Sequence, residues 1–148
     1  MVKRALAIVC LLFGCRPMPP EKPVVHYGTY ELFLIARPGG SELVPSEIAR
    51  GAELFEAARV QYQRGEYRQA AAGFMAAAEA MRVAEGDPYW ETARSDRVWS
   101  YRNAAYAWAM ADALADARAA LERAAANDPP CAAELRQLAQ KLPAPAAR

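Results

Sequence analysis

Between Tyr62 and Ala77, apolar and small residues recur at Tyr67, Ala70, Phe74 and Ala77. Steps of three, four and three mark one face of a helix. Small residues at 70 and 77 let a neighbouring helix come close, and Tyr67 and Phe74 fill the space beside it. Upstream, Pro45-Ser46-Glu47 opens a first helix, with Ser46 as a plausible N-cap. Its apolar face runs Leu54, Ala57, Ala58 and Val60, and it ends near Arg64 with Gly65 at the turn. The second helix spans about Tyr67 to Ala84. Gly86-Asp87-Pro88 punctuates the chain, since Asp87 caps and Pro88 suits a first helical turn. A long third helix then reaches about Met110, with Trp90, Arg94, Val98, Tyr101, Ala105 and Trp108 at helical spacing. After a turn near Ala111-Asp112, a fourth helix covers Ala113 to Ala126, with Leu114, Ala117, Leu121 and Ala124 on one face. Asp128-Pro129-Pro130 stops it and caps a fifth helix, which carries Leu135, Leu138 and Leu142 inward and Glu134, Arg136 and Lys141 outward.

The segment 24–45 lacks this periodicity and is expected to be irregular or extended. Tyr30 to Ala36 is apolar, aromatic and branched, which suits a strand, with Val24 to Tyr27 able to pair across Gly28-Thr29. A short helix starting at Thr29 is the other reading. Either way the segment should lie over the helices, because exposed it would be an aggregation hazard. Pro38-Gly39-Gly40 ends it.

Composition bounds the alternatives. A chain of 148 residues allows one domain with tails. Much of its apolar content is alanine, which favours helix and adds little core volume. Net charge is +1, and Lys and Arg alternate with Glu along the helices, so no nucleic-acid footprint is present. The single histidine, His26, reads as a loop residue. There is no Gly-rich phosphate loop, metal-spaced cluster or Ser/His/Asp set, so no cofactor, metal or catalytic residue is assigned. Carboxylate pairs such as Glu53/Glu56 and Asp112/Asp116 stand at helical surface spacing and read as a solvated face. Cys131 opens the fifth helix, where the N-terminal dipole works to lower a thiol pKa; a thiol packed against the fourth helix is the plainer reading.

The N-terminus is read as a targeting segment. Lys3-Arg4 precedes an apolar run from Ala5 to Gly14 that is too short to span a bilayer. The sequence Leu12-Phe13-Gly14-Cys15 resembles a bacterial lipobox, with Phe13 standing where a small or polar residue is usual. The resemblance implies a lipoprotein signal peptide at 1–14 and acylation of Cys15 as the first mature residue. It also implies, from the absence of Asp at position 16, an outer-membrane location facing the periplasm. Loss of Lys3 and Arg4 would take the net charge from +1 to −1. The proline-rich stretch 15–23 reads as a linker lifting the domain off the membrane.

The spacing Tyr67, Ala70, Phe74, Ala77 returns at Leu114, Ala117, Leu121, Ala124, offset by 47 residues. With Leu54, Ala57, Ala58 and Gly65 before the first set, and Tyr101, Ala104, Ala105 and Trp108 before the second, both hairpins resemble tetratricopeptide repeats. Gln61 stands where the pattern wants an aromatic, Arg82 where it wants proline, and Asp112 where it wants the turn glycine. The excess over the usual period is expected to lengthen the second and third helices around Gly86-Asp87. The resemblance implies an all-α fold: a short right-handed helical-hairpin solenoid of about two repeats over 46–142, with a C-terminal capping helix and a tail at 143–148. It also implies that the first helix of each hairpin lines a groove for a partner peptide or helix. By position that face holds Phe55, Arg59, Tyr62 and Gln63 from the first hairpin, and Trp99, Arg102, Tyr106 and Met110 from the second. Aromatics beside arginines are the types that dominate binding hot spots. The expected function is a non-enzymatic adaptor of the cell envelope, held to the membrane by its lipid and binding a protein partner. The alternative is a structural subunit of a larger assembly, with Trp99 and Tyr106 packed under the N-terminal segment and no open groove.

Overall fold

Gly65 stops the first helix by taking a left-handed conformation (φ +79°) that an L side chain resists. The amide of Gly65 then donates to Tyr62 O, and that of Glu66 to Gln61 O, which satisfies the last carbonyls of the helix. The same two bonds recur from Asp112 to Ala109 O and from Ala113 to Trp108 O, each displaced by 47 positions. Two turns of identical hydrogen bonding thus close two helical hairpins. The computed structural model describes residues 24–27 and 30–142, with side chains from Leu32 onward; the segments expected to be signal, linker and tail, at 1–23 and 143–148, lie outside the described residues.

The described chain is mostly helical, with five helices packed in sequence order. They are α1 (Ser46–Gln63), α2 (Tyr67–Ala80), α3 (Trp90–Met110), α4 (Leu114–Asn127) and α5 (Ala132–Lys141), the last preceded by a single 3₁₀ turn at Pro129–Cys131. Helices α2 and α4 are both 14 residues long. Their matching positions are buried alike: Ala70 and Ala117, Phe74 and Leu121, Ala77 and Ala124. These residues join Ala58, Val98, Tyr101, Ala104, Ala105 and Leu135 in and around one core. Alanine side chains keep the helix axes close, and glycine brings them closer where α1 meets α2. A Cβ on Gly73 would lie 2.8 Å from that of Ala58, and one on Gly51 only 2.2 Å from Met81 Cγ.

Asp112 is the one non-glycine residue with positive φ (+58°) among the described residues. Aspartate tolerates this region better than most side chains, but not without cost. Asp112→Gly is therefore expected to stabilise the domain by about 0.5–1 kcal/mol, read as a rise in the thermal midpoint. A fall would show that the Asp112 side chain contributes more than its backbone costs.

Two expectations about the helices change. Ser46 is the first residue of α1 and makes no cap; its hydroxyl donates to Glu47 Oε2 at 3.1 Å. Helix α2 stops at Ala80, not near Ala84, because Met81 leaves the helical conformation and buries its side chain against Gly51. Helix α3 is 21 residues long, and residues 81–89 form a non-helical connection before it. Asp87 and Pro88 do not open α3 as expected: both lie in the turn before it, where Asp87 accepts the Tyr89 amide at 2.8 Å, and the helix begins at Trp90 with no side-chain cap.

The segment 24–45 forms a three-stranded antiparallel sheet, which an all-α description omits. It comprises β1 (Val24–Tyr27), β2 (Tyr30–Arg37) and β3 (Gly40–Pro45), in that spatial order. Val24–Tyr27 does pair with β2, with Tyr27 opposite Tyr30. His26 therefore lies in a strand opposite Glu31, not in a loop. Pro38-Gly39 does not end the extended segment but reverses it, with Arg37 paired to Gly40. Proline followed by a glycine at φ +93° is the arrangement a type II turn demands. The sheet rests on the start of α1 through a second, smaller cluster of Ile35, Val44, Ile48, Ala49 and Ala93, with Val83 and Tyr89 from the 81–89 connection against it.

Candidate functional site

Helix α3 is apolar on two faces. One face, with Ala93, Val98, Tyr101, Ala104 and Ala105, is buried against its neighbours. The other carries Trp99, Arg102, Tyr106 and Met110, at steps of three, four and four. Trp99, Tyr106 and Met110 are 55%, 52% and 54% exposed, and the next large apolar side chain among the described residues, Leu43, is 36% exposed. The Arg102 guanidinium lies 5.1 Å from the centre of the Trp99 ring, and its Nε is buried without a hydrogen-bond partner. A helix apolar on both sides ordinarily has something packed on both.

The α1 residues of the expected face behave differently. Phe55 is half-buried, its ring 4.9 Å from that of Phe74. Tyr62 packs edge-on against Tyr67 at 5.2 Å. Both aromatics are used largely to join α1 to α2. Arg59 and Gln63 are exposed, and Arg59 is paired with Glu56 at 2.8 Å.

Phe55, Arg59 and Trp99 meet across a cleft of about 580 Å³ between α1 and α3. Tyr62, Gln63, Arg102, Tyr106 and Met110 do not line it. Its remaining walls include Ile35 to Pro38, from the end of β2 and the turn after it, together with Met81. The sheet therefore walls one end of the cleft and leaves Trp99 more than half exposed. A shallower hollow of about 930 Å³ lies elsewhere along α1, between Phe33, Leu54, Ala76 and Ala80, with no exposed aromatic beside it.

The sheet is tied to α3 by a bidentate ion pair. Arg37 Nη1 and Nη2 donate to the two carboxylate oxygens of Asp96 at 2.8 and 2.6 Å, and Nε donates to Glu42 at 3.0 Å. Bonding to Asp96 raises the Arg37 pKa above its ordinary value, against the opposing effect of burial. The Arg37 and Asp96 side chains are 27% and 16% exposed, so solvent screens the pair only in part. Asp96→Ala is expected to cost about 1–3 kcal/mol, toward the low end because Glu42 remains. Amide hydrogen exchange should then speed up in β2 and β3 while α3 and α4 keep their protection; a uniform change would show that the pair does not hold the sheet specifically.

Other ionic contacts tie helix to helix. Glu79 of α2 accepts from Tyr101 of α3 at 2.7 Å, from Arg123 of α4 at 3.2 Å and from Arg82. Arg94 joins α3 to the end of α4 through Asn127 O and Asp128. Arg118 of α4 donates to Ala139 O and Leu142 O, satisfying the end of α5. Cys131 is half-buried, and a hydrogen bond to Asp128 raises its thiol pKa, opposite to what the helix dipole alone suggests. Among the described residues no cluster of His, Cys, Asp and Glu could hold a metal, and no helix is long and apolar enough to cross a membrane.

Sequence reasoning placed Trp99, Arg102, Tyr106 and Met110 on one face of α3 but did not name Ile35 to Pro38 or Met81, which line the cleft beside Trp99. The Pro-Gly pair at 38–39 was the available signal for a strand reversal. Nothing local signals where the Met81 side chain goes. The geometry defines a helical-hairpin protein with an N-terminal sheet against its first and third helices. No family model matches the chain, and neither a curated protein nor a solved structure matches it.

Proposed function

We propose that this chain is a non-enzymatic interaction adaptor of the bacterial cell envelope, with tetratricopeptide-like hairpins that hold a partner peptide or helix along α3. The observation that carries the proposal is the stripe of Trp99, Tyr106 and Met110, each more than half exposed on a helix already buried on its opposite face. Contiguous exposed apolar surface marks interaction sites. The repeat of turn hydrogen bonds and buried positions at an offset of 47 supports the tetratricopeptide-like reading. Lipidation of Cys15 and the outer-membrane location rest on the Leu12-Phe13-Gly14-Cys15 sequence. The absence of an assigned catalytic group rests likewise on the sequence.

A photo-reactive residue placed at Tyr106 should crosslink, in native membranes, to one envelope protein through a short segment of it. Crosslinking only to lipid, or to many proteins without preference, would overturn the docking reading. Mass spectrometry of the mature N-terminus tests the anchor independently, and an unmodified Cys15 would remove it. The second reading, a structural subunit of a larger assembly, draws on the β2–β3 turn walling one end of the cleft. It requires the Tyr106 adduct to lie in a permanent subunit that does not exchange with free copies.

A further inference from the structure

Building on the docking reading above, we infer that the sheet end of the cleft is an anchor pocket for one bulky apolar side chain, leucine, phenylalanine or tryptophan, on an uncharged stretch of the partner segment. The apolar walls are Ile35, Pro38, Ala52, Phe55, Met81 and Trp99. The charged groups around them are already paired, and so is the Ser100 hydroxyl. Arg37 is bonded to Asp96 and Glu42, Arg59 to Glu56, and the Ser100 hydroxyl donates to Asp96 O at 2.8 Å. A charged group entering here would be desolvated and would compete with pairs already made, a net cost. An apolar group has no such competition and gains by leaving water.

The volume, about 580 Å³, has room for one bulky side chain together with adjoining backbone of the segment that carries it. Small residues create it: Ala36 and Ala52 on one side, Ser95 and Ser100 on the other. The occupant is a side chain of the docked segment because the pocket runs into the exposed stripe through Trp99, which belongs to both. A buried apolar anchor beside a longer line of aromatic contacts is how binding energy concentrates in protein interfaces. Two of the walls, the β2–β3 turn and Met81, lie outside the helical hairpins, so the pocket is a property of this chain's sheet and connection and not of the repeat.

The test is methyl NMR on residues 15–148 with Cys15→Ser, titrated with N-acetyl-tryptophanamide and N-acetyl-leucinamide, and in parallel with N-acetyl-lysinamide and N-acetyl-glutamate. The apolar probes should shift the Ile35, Ala52 and Met81 methyls equally at low and high salt, and the charged probes should not. Ala36→Trp fills the pocket from an exposed strand position, and Ser95→Phe fills it from an exposed helix position. Each should weaken the apolar probes about tenfold or more. No shift at those methyls, an equal response to the charged probes, or wild-type affinity in the filled variants would each overturn the pocket. Crosslinking from Tyr106 that survives both filled variants would remove the pocket and leave the docking reading intact. Probe binding without any Tyr106 adduct would do the reverse.

Discussion

Phe74→Ala is expected to lower the unfolding free energy by about 3–5 kcal/mol, a large share of the roughly 5–15 kcal/mol available to a domain. Phe74 is 2% exposed and packs its ring against Phe55. The buried core it belongs to is made mostly of alanines. Alanines have no rotamers with which to move into a cavity, and the helices bearing them are already close-packed. The loss should therefore combine the transfer and the cavity costs in nearly full measure. In guanidinium unfolding the midpoint should fall while the slope is unchanged. A loss below about 1 kcal/mol would mean that the hairpin contact does not rest on this ring. Leu121→Ala, at the equivalent position of the second hairpin, should cost about 2–5 kcal/mol for the same reason.

Trp99→Ala together with Arg102→Ala is expected to abolish partner capture while leaving the fold in place. Trp99 is 55% exposed, and its removal should change stability by no more than about 0.5 kcal/mol. The Arg102 guanidinium lies 5.1 Å from the centre of the Trp99 ring, so the two side chains form one contact surface. Hot-spot residues of these types contribute about 2 kcal/mol or more each, about 30-fold in affinity per residue. The measurement is co-purification from native membranes beside a thermal melt. Undiminished capture of the same partner by the double variant would move the docking site off α3. A collapse of the melt would instead show that the stripe supports the fold, as the alternative subunit reading holds.

The helices were legible because helix formation is periodic and local. The steps at Tyr67, Ala70, Phe74 and Ala77 and the stop at Gly65 act within a few residues. The echo at Leu114 to Ala124 was legible for the same reason, and the two turns carry the same hydrogen bonds. The α3 stripe could be placed because its face follows from spacing once the core face is known. The sheet was harder. Gly40-Ser41-Glu42 has little strand propensity, and β3 exists because the Pro38-Gly39 turn brings it beside β2. The early end of α2 was also invisible, since no glycine or proline stands at Met81. It stops there because Met81 finds room against Gly51, thirty positions earlier in the chain.

The amino-acid sequence by itself determined the helical hairpins, their repeat and the line Trp99, Arg102, Tyr106 and Met110. Each depends on the helical period, which relates residues three or four apart. Only the tertiary structure decided which aromatics stay at the surface, turning Phe55 and Tyr62 toward α2 while leaving Trp99 and Tyr106 open. It also decided that a small sheet walls the cleft, fixed by an ion pair between Arg37 and Asp96, 59 positions apart. Contacts at that separation depend on how the elements dock, and docking follows from the sizes of the side chains between them, which no local pattern encodes.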